Sequence, residues 1–181
     1  MNALVVCYSW TGNTARIGKA IASGLGCDME EIREARPRSG RLGRIRCGLD
    51  SLLQRKPRLK PMASQLLTYD LVILGCPVWS RKMASPMRSF VDANRGRFRR
   101  TATFCTEAGV GGELALETVS RACGASTLAR LVIDQQQLAT GDWREAVDDF
   151  VATIRRAAQR WHADGADSES PPENPKVSSA V

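Results

Sequence analysis

The stretch Ser9-Trp10-Thr11-Gly12-Asn13-Thr14 follows the apolar run Ala3-Leu4-Val5-Val6-Cys7-Tyr8 and opens an amphipathic segment, the order expected of a strand, a tight loop and a helix. Hydroxyl side chains, a Gly and an Asn at a helix start offer several O–H and N–H donors to one anionic group. The positive end of the helix dipole adds to them. A phosphate suits such a loop. The same residue types also serve as N-caps, so the loop alone leaves capping and phosphate binding both open.

Working outward, Ile17, Ile21 and Leu25 recur at helical spacing with Arg16 and Lys19 on the other side, which predicts an amphipathic helix stopped by Gly24 and Gly26. Asp28-Met29-Glu30-Glu31-Ile32 alternates as a short second strand does. A basic segment then runs to about Pro61, with one short helix expected where Leu42, Ile45, Leu49, Leu52 and Leu53 fall at helical spacing. Leu71-Val72-Ile73-Leu74-Gly75-Cys76 is a continuous apolar run, as for a parallel strand covered on both faces. Its exit, Pro77-Val78-Trp79-Ser80-Arg81-Lys82, reads as a loop. Ser85-Pro86 then starts a helix as N-cap and first residue, with Met87, Phe90 and Val91 inward. Thr101 to Cys105 is the fourth strand and leads into the glycine-rich loop Thr106-Glu107-Ala108-Gly109-Val110-Gly111-Gly112. A helix carrying Leu116, Val119 and Cys123 follows, then a fifth strand from Ser126 to Ile133. Asp142 and Glu145 have capping-box spacing before a last helix with Trp143, Val147, Phe150, Val151, Ile154, Ala158 and Trp161 on one stripe.

The 181 residues, 43% hydrophobic and 25% charged, suit one soluble globular domain, and no apolar run reaches the about 20 residues that a membrane-spanning helix needs. The expected division is a domain over 1–161, with the basic insertion at about 36–61, and a disordered tail over 162–181. The short N-terminal run lacks a basic flank, so the expected compartment is the cytoplasm. Six cysteines without a C-x-x-C pair, three of them in strand-like runs, indicate buried hydrophobes rather than disulfides or a zinc site. The single histidine, His162, opens the polar tail, which excludes most histidine-based catalysis. The net charge of +7 is concentrated between Arg33 and Lys60, with a second cluster at Arg95, Arg97, Arg99 and Arg100. No aromatic residues are interleaved with these arginines, which speaks against nucleic acid.

Strands alternating with helices five times over imply an α/β, doubly wound, five-stranded parallel sheet. In the strand order 2-1-3-4-5, the first, third and fourth strands are neighbours. Their three exit loops therefore converge on one crevice at the carboxyl ends of the strands, where such sheets bind ligands.

Those three loops resemble the FMN-binding loops of the flavodoxin family, over about residues 3–161. The resemblance implies a phosphate held by Ser9, Thr11, Asn13 and Thr14 with the amides around Trp10 and Gly12. Pro77, Val78, Trp79 and Ser80 would line the isoalloxazine, with Trp79 stacking. Thr106, Glu107, Ala108, Gly109, Gly111 and Gly112 would meet its pyrimidine end through backbone amides, although Glu107 can also be read as a solvated loop residue. Chemistry would then reside in FMN, with no metal and no catalytic side chain. The chain departs from small acidic electron carriers of that family in being basic and in lacking an aromatic residue between Thr106 and Gly112. This favours an oxidoreductase taking electrons from NAD(P)H to a quinone or similar small molecule. Electron transfer by docking on a redox partner protein is the alternative. Related topologies lack their markers here: receiver-domain carboxylates, a Cys-x5-Arg phosphatase loop and a P-loop lysine motif are all missing.

Overall fold

The computed structural model describes residues 1–35 and 56–163. The helix expected within the basic insertion and the polar tail after residue 163 lie outside the described residues.

β1 (Ala3–Cys7) is buried along its whole length and pairs in parallel with β2 (Asp28–Glu31) and with β3 (Leu71–Trp79). β3 pairs in parallel with β5 (Arg100–Thr106), and β5 with β6 (Ser126–Ile133). The order β2-β1-β3-β5-β6 is the expected doubly wound arrangement, with one addition. β3 continues through Pro77 and Val78 to Trp79 and turns back into β4 (Lys82–Met83), pairing Val78 with Met83 and Trp79 with Lys82. The exit of the third strand is thus a hairpin, not the loop expected. Its two-residue turn places Ser80 at φ 50° and Arg81 at φ 61°, the positive-φ pair that matches the twist of tight hairpins.

The period of two along each strand divides the core between the faces of the sheet. Val5, Cys7, Ile73 and Phe104 pack with α1 (Asn13–Leu25) and α5 (Trp143–Ala163) on one side. Leu4, Val6, Val72, Leu74 and Cys76 pack on the other with Met87, Phe90 and Val91 of α2 (Ser85–Ala93) and Val119 and Cys123 of α3 (Gly112–Cys123). Burial on both faces explains why β1 and β3 read as unbroken apolar runs. Full burial of each such Leu, Ile or Val contributes about 1.5–3 kcal/mol. α1 buries Ile17, Gly18 and Ile21 and ends at Gly26, whose N–H closes on the last turn. One contact requires the absence of a side chain: a Cβ on Gly75 would lie 2.0 Å from Cζ of the fully buried Phe104.

Three boundaries differ from the sequence reading. Ser85 is the first helical residue of α2, and Ala84 occupies the N-cap. A short helix absent from that reading, α4 (Gln135–Thr140), begins at a capping box in which Asp134 Oδ1 accepts from the Gln137 N–H and Gln137 Oε1 accepts from the Asp134 N–H. At Asp142, where the sequence spacing suggested a capping box, the carboxylate Oδ2 accepts from the Thr140 hydroxyl at 2.7 Å.

Candidate functional site

β1 delivers the chain to the carboxyl edge of the sheet at Tyr8, whose N–H bonds the Gly75 carbonyl of β3 at 2.9 Å. Gly12 then turns the chain at φ 92°, a conformation that disfavours any residue with a Cβ, and serves as the N-cap of α1. The N-cap is a glycine, no side chain among the described residues caps this helix, and its first turn holds no acidic residue. The leading N–H groups and the positive dipole end are therefore left to an exogenous anion. Thr11, Gly12 and Asn13 are exposed, whereas Thr14 is buried. The Ser9 hydroxyl is shielded from solvent and finds no hydrogen-bond partner among the described residues. A buried, unpartnered hydroxyl is costly, and a phosphate oxygen would satisfy it. Of the two readings left open by the loop, this geometry disfavours capping.

The loop opens onto a groove of about 520 Å³ lined by Ser9, Trp10, Gly12, Ala15, Arg16, Lys19 and Glu31. Arg16 and Lys19 follow Gly12 at helical spacing, so their side chains rise along one stripe of α1 from the loop. Sequence reasoning placed both on the side of the helix away from its apolar stripe and did not name them as lining residues. Their signal was the i, i+3 pairing of cations next to an anion-binding loop. Arg16 also lies 5.2 Å from the centroid of the Trp143 ring, a cation–π distance.

The loop after β5 is joined to the first loop directly: Thr14 Oγ1 and Thr106 Oγ1 are 2.8 Å apart, and either hydroxyl can donate. Thr106 is the register partner of Pro77, which places the three expected loops side by side. Glu107 is not a solvated residue. Its N–H donates to the Ile133 carbonyl, and its Oε2 accepts from the Gly112 N–H at 2.9 Å. Glu107 and Gly112 therefore hold the loop's shape with the amides expected to meet a ligand. Ala108 and Gly109 are exposed, and with Gly111 they are the expected positions whose amides stay out of hydrogen bonds among the described residues. Gly111 lies so close to the hairpin tip that a Cβ there would be 2.8 Å from Arg81 Cβ and 2.9 Å from Arg81 Cα.

On the third loop, Pro77, Val78 and Trp79 are half-buried and Ser80 is exposed. Trp79 meets Tyr8 edge to face, with ring centroids 5.7 Å apart and planes at 89°. Beneath the loops, burial pushes the thiols of Cys7 and Cys76 up to about 12 and that of Cys105 higher still, so all three stay protonated near neutral pH. Thiolate nucleophiles are thereby excluded from these positions. Among the described residues no cluster of His, Cys, Asp or Glu is arranged to hold a metal ion. Nor is any described helix long and apolar enough to cross a membrane.

No protein-family model and no curated protein matches the chain. Solved structures do. A flavoprotein from Lactobacillus acidophilus, solved in complex with FMN, aligns with a TM-score of 0.64 at 21% identity, over 77% of this chain and 97% of that one. Oxidised flavodoxin 2 from Bacillus cereus aligns with a TM-score of 0.55 at 17% identity, over 87% and 99%. A flavodoxin, WrbA-like protein, from Agrobacterium tumefaciens gives a TM-score of 0.52 at 18% identity, over 86% and 98%. The fold of this chain is the flavodoxin-like fold.

Proposed function

We propose that the chain is an FMN-binding oxidoreductase of flavodoxin type that moves electrons or hydride from NAD(P)H to a quinone or similar small acceptor. The observation that carries this reading is the pairing of an uncapped α1 N-terminus with a buried Ser9 hydroxyl, neither of which has a side-chain partner among the described residues. Both are costs to the protein alone and assets once a phosphate monoester is seated. The FMN in the similar Lactobacillus acidophilus flavoprotein supports the same cofactor here. FMN, when bound, supplies the redox chemistry.

The residues of this chain would bind and orient it. Ser9 and Thr11 offer hydroxyls to the phosphate, Asn13 and Thr14 contribute N–H groups from the first turn, and Arg16 and Lys19 raise the positive potential of the groove. Pro77, Val78, Trp79 and Ser80 form one wall of the ring site. Ala108, Gly109 and Gly111 form the other through their backbone, with Thr106, Glu107 and Gly112 fixing the loop. Because no aromatic side chain stands between Thr106 and Gly112, that wall leaves space for a second substrate to lie on the flavin. The free thiols among the described residues suit a reducing compartment such as the cytoplasm.

The alternative is electron transfer to a docked protein. It is favoured by Val110 and Leu114, which are 69% and 53% exposed beside the same loop and make an apolar rim. The visible absorption spectrum of the purified chain, before and after FMN addition and desalting, tests the cofactor. A chain that retains no flavin refutes it. Turnover of NADH or NADPH with quinones above the free-FMN background then supports the enzyme. Background rates alone return the chain to the carrier reading.

A further inference from the structure

We infer that Tyr8 and Glu34 are positioning residues for Trp79, so that the base of the basic insertion sets how the proposed flavin wall is held; the inference rests on the FMN reading above. Tyr8 is 5% and Glu34 is 8% exposed, and the Tyr8 hydroxyl donates to Glu34 Oε1 at 3.0 Å within the core. A hydrogen bond at one end and an edge-to-face ring contact at the other leave the Tyr8 ring little freedom. That ring in turn fixes the plane of Trp79 at 89° to its own. Trp79 is the last residue of β3 before the positive-φ turn, so its backbone is set by pairing with Lys82 and its ring by Tyr8.

Glu34 is itself anchored. It forms an isolated antiparallel bridge with Leu59, flanked by hydrogen bonds from the Ala35 N–H to the Arg58 carbonyl and from the Lys60 N–H to the Arg33 carbonyl. This small ladder ties together the two strands of chain that lead into and out of residues 36–55. A contact path therefore runs from that ladder through Glu34 and Tyr8 to Trp79. A carboxylate buried with a phenol is a costly device for stability alone, since an apolar pair of similar volume would serve the core as well. It does supply what packing does not, a fixed direction for the ring.

The test is FMN affinity by fluorescence quenching in the full chain carrying Tyr8→Phe, Glu34→Ala or Glu34→Gln, each also made together with Trp79→Leu. Tyr8→Phe keeps the ring contact and loses the hydroxyl. We expect Tyr8→Phe and Glu34→Ala each to raise the FMN dissociation constant about five- to tenfold, the scale of one buried hydrogen bond. Glu34→Gln, whose amide oxygen still accepts from the phenol, should restore near wild-type affinity. With Leu at position 79 the same substitutions should have no further effect, a coupling that a general loss of stability would not produce. Wild-type affinity in Tyr8→Phe and Glu34→Ala, or equal losses in the Trp79→Leu background, would overturn the inference. Should the wild-type chain bind no FMN, the cofactor reading fails separately. Acrylamide quenching of Trp79, taken as the difference from Trp79→Leu, then decides: greater access in Tyr8→Phe upholds the positioning role, and unchanged access overturns it. If Tyr8→Phe fails to fold, the contrast between Glu34→Ala and Glu34→Gln decides in its place: a loss in the first that the second restores upholds the role, and equal behaviour of the two overturns it.

Discussion

Replacing Ser9 by Ala should make the empty protein more stable and the cofactor complex weaker. The hydroxyl is buried without a partner among the described residues, a state that costs about 1–3 kcal/mol for a neutral polar group. Ser9 as a whole is half-buried, so the lower end applies, and Ala keeps the Cβ and the backbone conformation. The flavin-free chain should therefore gain about 1 kcal/mol, or roughly 2–4 °C in Tm for a domain of this size. In the complex the same hydroxyl would donate to a charged phosphate oxygen, an interaction of about 1.5–3 kcal/mol. A loss of about 2 kcal/mol corresponds to an FMN dissociation constant about 30-fold higher. Thermal melts of the flavin-free protein and fluorescence titration with FMN give the two numbers independently. A lower Tm together with unchanged FMN affinity would refute the reasoning, because it would mean that the hydroxyl serves the fold and not a ligand.

Other perturbations probe neighbouring parts of the same argument. Gly75→Ala places a Cβ 2.0 Å from Phe104 Cζ, and overpacking at that level should cost about 3 kcal/mol, or roughly 6–12 °C in Tm; adding Phe104→Leu should recover part of the loss in the same melt. The double substitution Arg16→Ala, Lys19→Ala should weaken FMN binding about fivefold in 0.01 M salt and have little effect near 1 M. Exposed charges interact across a Debye length that shrinks from about 30 Å to about 3 Å over that range, so an equal loss at both ionic strengths would rule out a long-range charge role. The thiols of Cys7, Cys76 and Cys123 are raised from 9.0 to about 12 by burial. Since unfolding lets them ionise at lower pH, their contribution to stability is complete below pH 9 and is lost as pH climbs toward 12. Denaturant midpoints measured across that window should fall for the wild type and fall less for Cys→Ala variants at these positions.

Much of this architecture was legible because its signals are local and agree with one another. The apolar runs 3–8 and 71–76 are continuous because both faces of the sheet are covered, and the Thr11-Gly12-Asn13-Thr14 turn stands where β1 must give way to α1. The hairpin at Ser80-Arg81 was hidden for a physical reason. Two-residue hairpins advertise themselves through Asn-Gly or Asp-Gly, and here two ordinary residues adopt positive φ under the constraint of β3–β4 pairing. α4 was missed although Asp134 and Gln137 have capping-box spacing, because six residues with no buried side chain leave no hydrophobic period to detect. Glu107 was read as a ligand-contacting or solvated loop residue, and its bond to the Gly112 amide stayed hidden because nothing in a sequence tells that a carboxylate will fold back onto an amide five residues on. The groove cations Arg16 and Lys19 sat on the polar side of an amphipathic helix, where amphipathicity alone cannot separate a solvent face from the wall of a site.

The near-contact between Gly111 and Arg81 has an implication for altering this protein. With Arg81 Cα only 2.9 Å from where a Cβ of residue 111 would stand, the hairpin tip and the glycine-rich loop fit like two halves of a clasp. Neither half can be exchanged alone. A transplanted hairpin with a different turn would lose its seat against Gly111, and a transplanted loop carrying any larger residue at that position would force the hairpin open. Loop grafting on this scaffold, by design or by descent, should succeed only when residues 77–83 and 106–112 travel as a pair.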